Sequence, residues 1–219
     1  MKTARQLYTE YKIMPSLQLH QLRVAAVGKL VSEAFKGPIR SHDVILACLF
    51  HDMGNIIKSD LTYFPEFIEP EGLTHWQGIK DGYVKRYGVD HHAANATIAR
   101  EIGLSENACI LIDGVGFSKL EDVLNDASNE RKVCEYADLR VGPHGVLLLI
   151  ERLLEGRRRY LETNKKRPHY ESEESFRKLS ESAKKLEEQV LSHTSLAAND
   201  ISDAAIQNSI EELQNYPVA

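Results

Sequence analysis

The chain has 219 residues, of which 42% are hydrophobic and 27% are charged, a balance typical of a soluble globular protein with a sizeable core. This composition excludes disorder over the whole length. The formal net charge of -5 argues against a broad basic surface that would hold nucleic acid, so we do not expect nucleic acid as a partner.

The cysteines and the N-terminus indicate the cellular compartment. Cys48, Cys109 and Cys134 form no CxxC pair, which argues against a disulfide framework and against a cysteine zinc site. The first residues are charged and lack an apolar signal segment, and the longest apolar run, residues 44–50, is too short to span a membrane. We therefore expect a cytoplasmic protein with reduced thiols and no membrane partner.

Apolar residues recur at spacings of three and four along most of the chain, which predicts an all-α fold. The region between residues 55 and 89 instead holds aromatic side chains among prolines, glycines and charges, and we expect an elaborated loop with short helical turns there. From the apolar periodicity and the capping residues, helices are predicted over residues 17–35, 41–53, 91–102, a segment opened by Ser105, 129–141, 144–163, a segment starting at 171, and 200–213.

The length predicts one helical domain, residues 1–168, followed by a C-terminal extension, residues 169–219. A single apolar stripe runs along an otherwise charged helix of the extension. Its members are Phe176, Leu179, Ala183, Leu186 and Val190. We expect this stripe to dock on the helix 144–163, and the C-terminal helices are also the expected surface for a homo-oligomer.

One pair of polar residues stands out as a candidate for metal chemistry. Seven consecutive apolar residues lead directly to His51-Asp52, and the helix is then broken by Gly54. An imidazole and a carboxylate at the inner end of a buried helix are costly unless they are hydrogen-bonded or bind a metal ion. The similar pair His42-Asp43 lies at the start of the same helix, where Asp43 favours the helix dipole, so we assign it no function.

His20 and Asp138 are the candidates that complete such a site. Val24, Val27 and Val31 continue the face of His20 on one predicted helix, and Asp138 is likewise flanked by apolar residues at helical spacing. Two imidazoles and two carboxylates form a ligand set suited to one divalent ion of Mn, Fe, Ni, Co, Zn or Mg. Four protein ligands on an octahedral ion leave two positions for water and substrate, which is typical of a catalytic site.

The order of His20, then His51-Asp52, then Asp138 resembles the H…HD…D pattern of the HD-domain superfamily of metal-dependent phosphohydrolases. The flanking segments HQLRVA, ACLFHDMGN and YADLRVGPHGVLLLIERLLEGRRRY resemble it as well, over about residues 15 to 160. The resemblance implies an all-helical HD-domain bundle with additional C-terminal helices, and a divalent metal held by these four residues.

The segment DHHAANATIAREIGL resembles the HPxxGAxIA stretch that carries a further histidine in some members, with His91 in the better register and His92 one residue away. Three departures concern the metal count and the substrate. Asn55 replaces the lysine of the HDIGK version, LIDGVGF lacks the histidine usual in two-metal members, and the HDxxED form of alarmone hydrolases is absent. These departures argue against a cyclic-dinucleotide phosphodiesterase and against an alarmone hydrolase. They also favour a site with a single metal ion over a site with two.

Three basic residues near these positions are candidates for substrate binding. Arg23 and Arg140 each lie close in sequence to an expected ligand, where they either orient a carboxylate or contact phosphate, and Lys58 follows the metal pair by six residues. The basic cluster formed by residues 157–159 and 165–167 is interpreted as a solvated helix end, because consecutive helical residues point in different directions.

The expected function is hydrolysis of a phosphomonoester or phosphodiester by metal-activated water, on a nucleotide or another small phosphorylated metabolite. His91 or His92 is expected to protonate the leaving group. The alternative is a non-catalytic HD-fold module that senses a metal or nucleotide, or contacts a protein. A di-iron oxygenase on the same scaffold needs more histidine ligands than the sequence supplies.

Overall fold

The computed structural model describes residues 1–163 and 172–218, and these fold into eleven α-helices and one pair of very short β-strands. The predicted all-α class is confirmed. The helices are α1 Ala4–Glu10, α2 Pro15–Glu33, α3 Ser41–Phe50, α4 Gly72–Tyr87, α5 His91–Ile102, α6 Glu106–Gly114, α7 Leu120–Asn125, α8 Asn129–Leu139, α9 Leu149–Glu162, α10 Glu173–Ser192 and α11 Asp203–Gln214.

Helices α2, α3 and α8 pack against one another at the centre of the core. Every residue of α3 from Asp43 to Phe50 is buried, as its apolar sequence requires. Gly28 of α2 lies so close to α3 that a Cβ atom there would be 3.0 Å from the sulfur of Cys48 and 3.2 Å from Val44. The close contact of these helices brings three separated chain segments to one end of the bundle.

The two ends of the described chain meet in a small antiparallel pair, β1 Lys2–Thr3 with β2 Pro217–Val218. Helix α1 follows directly and begins with a capping box, since the Thr3 hydroxyl accepts the N–H of Gln6 and the Thr3 N–H donates to the side chain of Gln6. Neither element was predicted, although the Thr-x-x-Gln pattern is a sequence signal for the start of a helix.

Helix α10 carries the predicted apolar stripe, and all five of its residues are buried in the common core. The stripe packs chiefly against α7 and α8 and less against α9, so the expected partner was only a minor one. Helix α11 packs against α2. The predicted boundary between residues 168 and 169 lies outside the described residues, as do Lys165, Lys166 and Arg167.

The structure differs from the predicted elements at further points, and it adds α7, which the sequence did not predict. Helix α4 occupies part of the predicted loop, and residues 143–148 form a turn closed by a Val141–Val146 bridge where a helix was predicted. Helix α3 ends at Phe50, before the metal pair, and Ser202 rather than Asp200 caps the last helix. Among the helices of residues 1–163 and 172–218, none combines the length and the apolar character that a bilayer span needs.

Candidate metal centre

The His51-Asp52 pair lies in the turn that follows α3, not within the helix. His51 is the C-terminal cap of α3, and a 3-10 turn, Asn55–Ile57, begins three residues after Asp52. Gly54 is required in between, because a Cβ atom there would lie 2.7 Å from the Cβ of Ala94 on α5. The Gly54 N–H donates to Asn95 Oδ1 at 2.6 Å, so α5 closes directly over the turn that carries the pair.

The structure brings together the four side chains that the sequence analysis selected. Asp52 Oδ2 lies 3.7 Å from Nε2 of both His20 and His51. Asp138 Oδ1 lies 3.2 Å from His20 Nε2 and 3.5 Å from His51 Nε2. Helices α2 and α8 and the turn after α3 therefore aim two imidazoles and two carboxylates at one small volume.

The ring orientation of His51 leaves one nitrogen available for a ligand bond. Its Nδ1 lies 2.8 Å from the carbonyl oxygen of Cys48, and a carbonyl only accepts, so Nδ1 carries the proton. Its Nε2 is therefore the ring atom that can bind a metal ion, in exchange for the proton that it carries in the imidazolium form, and this atom is buried without a hydrogen-bond partner among the described residues. A histidine that donates one ring N–H to a carbonyl while its other nitrogen binds a metal is the usual arrangement of a metal ligand.

The charges of the centre favour a cation. Burial lowers the pKa of His51, but Asp52 and Asp138 outweigh it and raise this pKa to about 10. Burial raises the pKa of Asp138, and the neighbouring rings of His20 and His51 hold it well below its ordinary range. Burial likewise opposes ionisation of Asp52, and His51 and Lys58 lower its pKa nonetheless. Both carboxylates are thus ionised at neutral pH and attract positive charge.

The distances within the group fit an ion of ordinary size. An ion about 2.1 Å from each ligand atom sets neighbouring ligand atoms about 3.0 Å apart in an octahedron and about 3.4 Å apart in a tetrahedron. The nitrogen-to-oxygen separations here run from 3.2 to 3.7 Å. His20, His51 and Asp52 each offer one ligand atom within 4.8 Å of the others, so this group could hold a metal ion.

Two buried side-chain amides, which were not among the predicted site residues, hold the turn that carries His51 and Asp52 in place. Gln21, beside His20, has no solvent exposure, and its Oε1 accepts the backbone N–H of Asp52 at 3.2 Å. Asn95 is the acceptor for Gly54 described above. Both amides are polar residues on otherwise apolar helix faces, which is the signal that would have found them.

The four side chains line a cleft of about 340 Å³. His91, His92 and Lys58 line the same cleft, as expected from the sequence, and the two imidazole rings lie 4.0 Å apart between centroids. Burial lowers the pKa of His92, and Lys58 and Lys119 lower it further, so this ring is neutral at pH 7. Asp90 accepts the N–H groups of His92 and Ala93, so the imidazoles, and not these amides, face the cleft.

The structure corrects the expectation for the two arginines nearest the ligands, since neither lines the cleft. Arg140 is fully buried and donates to the carbonyl oxygens of Leu147, Ala198 and Ile201 and to the hydroxyl of Tyr136. This side chain joins α8 to the C-terminal segment.

Arg23 is directed towards α11, where its Nε lies 3.5 Å from Asp203 Oδ1. Each of the two arginines lies near an expected metal ligand in sequence but is directed elsewhere in the structure. We therefore leave both out of the proposed substrate site.

The structure also places the second His-Asp pair of α3 and the aromatic residues that follow the candidate metal centre in sequence. His42 Nδ1 lies 2.7 Å from the hydroxyl of Tyr216, and Asp43 accepts the hydroxyl of Ser105, so both side chains make contacts away from the candidate metal centre. Tyr63, Phe64 and Phe67, from the aromatic region between residues 55 and 89, line the cleft.

Comparison with known proteins finds no matching family model, no matching curated protein and no matching solved structure.

Proposed function

We propose that this chain is a metal-dependent phosphohydrolase of the HD-domain type, acting on a nucleotide or another small phosphorylated metabolite. The observation that carries the proposal is the buried Nε2 of His51, which has no hydrogen-bond partner among the described residues and lies among three further ligand atoms. The resemblance of the HQLRVA, ACLFHDMGN and YADLRVG segments to that family supports the same reading.

His20, His51, Asp52 and Asp138 would hold one divalent ion, which would lower the pKa of a coordinated water and accept a phosphoryl oxygen. The remaining residues of the cleft supply binding and proton transfer. Lys58 places a positive charge beside Asp52 and His92, as its effect on both pKa values indicates, and attracts a phosphate group to this end of the cleft.

His91 and His92 are the residues that would exchange a proton with the reacting groups. A neutral imidazole such as that of His92 accepts a proton from one atom or donates its single N–H to another. A phosphate that enters beside it adds negative charge, which favours the protonated ring and so the donation of a proton to the leaving oxygen.

The experiment measures bound metal and phosphate release in matched variants of the full chain. Asp52→Ala and His51→Ala should each remove the bound ion and phosphate release while circular dichroism still shows a folded helical protein. His42→Ala is the control, because this histidine, at the start of α3, lies outside the centre. Phosphate release is screened over phosphorylated metabolites with several divalent ions.

Full metal occupancy in Asp52→Ala and His51→Ala would overturn the metal assignment. Metal binding without phosphate release from any substrate would favour the non-catalytic sensing module instead. Two irons per chain would point to oxygenase chemistry.

A further inference from the structure

The cleft extends from the metal centre along helix α9, and this part has no role in the proposed chemistry. Arg152, Leu153, Arg159 and Tyr160 of α9 line it. Their spacing of seven residues places the two arginines on one face of the helix, two turns or about 10 Å apart along its axis. Arg152 Nε also donates to the carbonyl of Val141 at 2.7 Å, so the wall continues directly from the chain that follows Asp138.

The two arginines share a single carboxylate. Arg152 Nη1 lies 3.0 Å from Glu155 Oε2, and Arg159 Nε lies 3.1 Å from Glu155 Oε1. Both arginines face the cleft, whereas Glu155 is not among the described residues that line it. Two positive charges against one negative charge leave this wall with an excess of one positive charge, and that excess faces the cleft.

The neighbouring arginines show that this placement is specific to Arg159. Arg157 lies over the ring of Phe176 and pairs with Glu173 on α10. Arg158 is 73% exposed and reaches only the vicinity of Glu162, at 4.0 Å. Of three consecutive arginines, Arg159 is thus the one that lines the cleft.

An aromatic surface lines the same cleft. Tyr63, Phe64 and Phe67 contribute to it, with the rings of Phe64 and Phe67 4.8 Å apart. The Tyr63 hydroxyl donates to Glu162 Oε2 at 2.5 Å, which ties this aromatic segment to the end of α9 beside Arg159. Flat apolar surfaces of this kind accept a base or another aromatic ring by stacking.

Resting on the proposed function, we infer that Arg152 and Arg159 form a second anion-binding subsite, so that the substrate is a nucleotide carrying an anionic group besides the phosphate at the metal centre. The metal end takes one phosphate, the Tyr63–Phe64–Phe67 surface takes the ring, and the two guanidinium groups take the second anion by charge-assisted hydrogen bonds.

The test compares two probes that differ only in the second anion, adenosine 5'-monophosphate and adenosine 3',5'-bisphosphate. Dissociation constants are measured by titration calorimetry on the full chain in EDTA, so that no hydrolysis intervenes, and again with Ca²⁺ in place of EDTA, so that a cation is present beside Asp52 and Asp138. The wild-type protein should bind the bisphosphate about tenfold more tightly, the scale of one charge-assisted hydrogen bond. Arg159→Gln should reduce this preference to less than about threefold, and Arg158→Gln, the matched control, should leave it intact.

Equal affinity of the wild-type protein for the two probes, or no measurable binding of the bisphosphate, would overturn the subsite and needs no variant. A preference that survives Arg159→Gln, or that Arg158→Gln removes equally, would overturn it as well. Because hydrolysis does not enter the measurement, a clear preference in a chain that releases no phosphate with any divalent ion would refute the proposed activity and leave the subsite standing. Phosphate release together with equal affinity for the two probes would support the proposed activity and refute the subsite.

Discussion

Glu135 should make the stability of this protein fall as the pH rises towards neutrality. It lies on α8 one turn before Asp138, has no solvent exposure, and accepts the N–H of Gly116 at 2.7 Å through Oε2. Its other oxygen is buried without a hydrogen-bond partner among the described residues. Burial therefore raises the pKa of Glu135 from its ordinary 4.5 to about 7, with a further contribution from Asp138.

The sign follows from proton linkage. Between pH 4.5 and 7 the folded protein keeps the proton on Glu135, and the unfolded chain loses it. The stabilisation is complete below pH 4.5 and is lost as the pH rises through 7. A difference of about 2.5 in pKa corresponds to about 3 kcal/mol of unfolding free energy, which is a large part of the stability of an ordinary domain.

The assay is urea unfolding of the wild-type protein and of Glu135→Gln at pH 5 and pH 8, in EDTA so that bound metal does not contribute. The amide can still accept the Gly116 N–H and stays neutral. The variant should therefore gain up to about 3 kcal/mol relative to wild type between the two pH values.

Glu130→Gln on the same helix is the control. Burial raises the pKa of Glu130, but the backbone N–H groups of Glu130 and Arg40 and the Ser128 hydroxyl outweigh it and lower this pKa. Its ionised form is thus the stabilising one, and this variant should gain nothing at pH 8. Parallel pH profiles for Glu135→Gln and wild type would refute the reasoning.

Four further substitutions test the role of His91 and the packing of three buried positions. His91→Ala should lower turnover about a hundredfold with the metal still bound, as measured by steady-state kinetics and metal analysis. Gly54→Ala should cost about 1–3 kcal/mol and weaken metal binding, whereas Gly78→Ala, with no atom within 4 Å of the added Cβ, should be neutral or slightly stabilising in thermal melts. Arg140→Met should cost about 3 kcal/mol or more in urea unfolding, because it strips buried carbonyl groups of their donor. Leu186→Ala should cost about 2–5 kcal/mol, because Leu186 is fully buried on α10.

Local signals predicted the helix bounds where a cap and a stop residue were both present. Helix α5 begins after Asp90, whose side chain accepts two backbone N–H groups, and ends at Gly103 in the left-handed conformation, as predicted. Helix α4 was missed because its buried face consists of Trp76 and Tyr83 alone, seven residues apart. Glycines within it further lower its helix propensity, so neither periodicity nor composition marks it as a helix.

The clustering of His20, His51, Asp52 and Asp138 was predictable because each of these residues interrupts or heads an apolar face, and a polar group there needs a partner. The expectation for Arg140 came from its closeness to Asp138 in sequence. Two residues along a helix correspond to a rotation of about 200°, so a neighbour in sequence points to the opposite side. Closeness in sequence therefore carried no information on which arginine reaches the substrate.

The arginines of α9 show which step a sequence leaves open. Leu149, Leu153 and Gly156 form its buried stripe. At about 100° per residue, Arg158 points directly away from this stripe, while Arg157 and Arg159 lie on opposite flanks. That much is readable from the pattern alone. The pattern does not say which of these two arginines faces the cleft and which faces α10. That depends on the side of α9 on which α10 packs, and the position of α10 is set by its long-range contacts with α7 and α8. The three consecutive arginines, predicted as one solvated helix end, thus have three different environments. Arg157 contacts α10, Arg158 is exposed, and Arg159 lines the cleft.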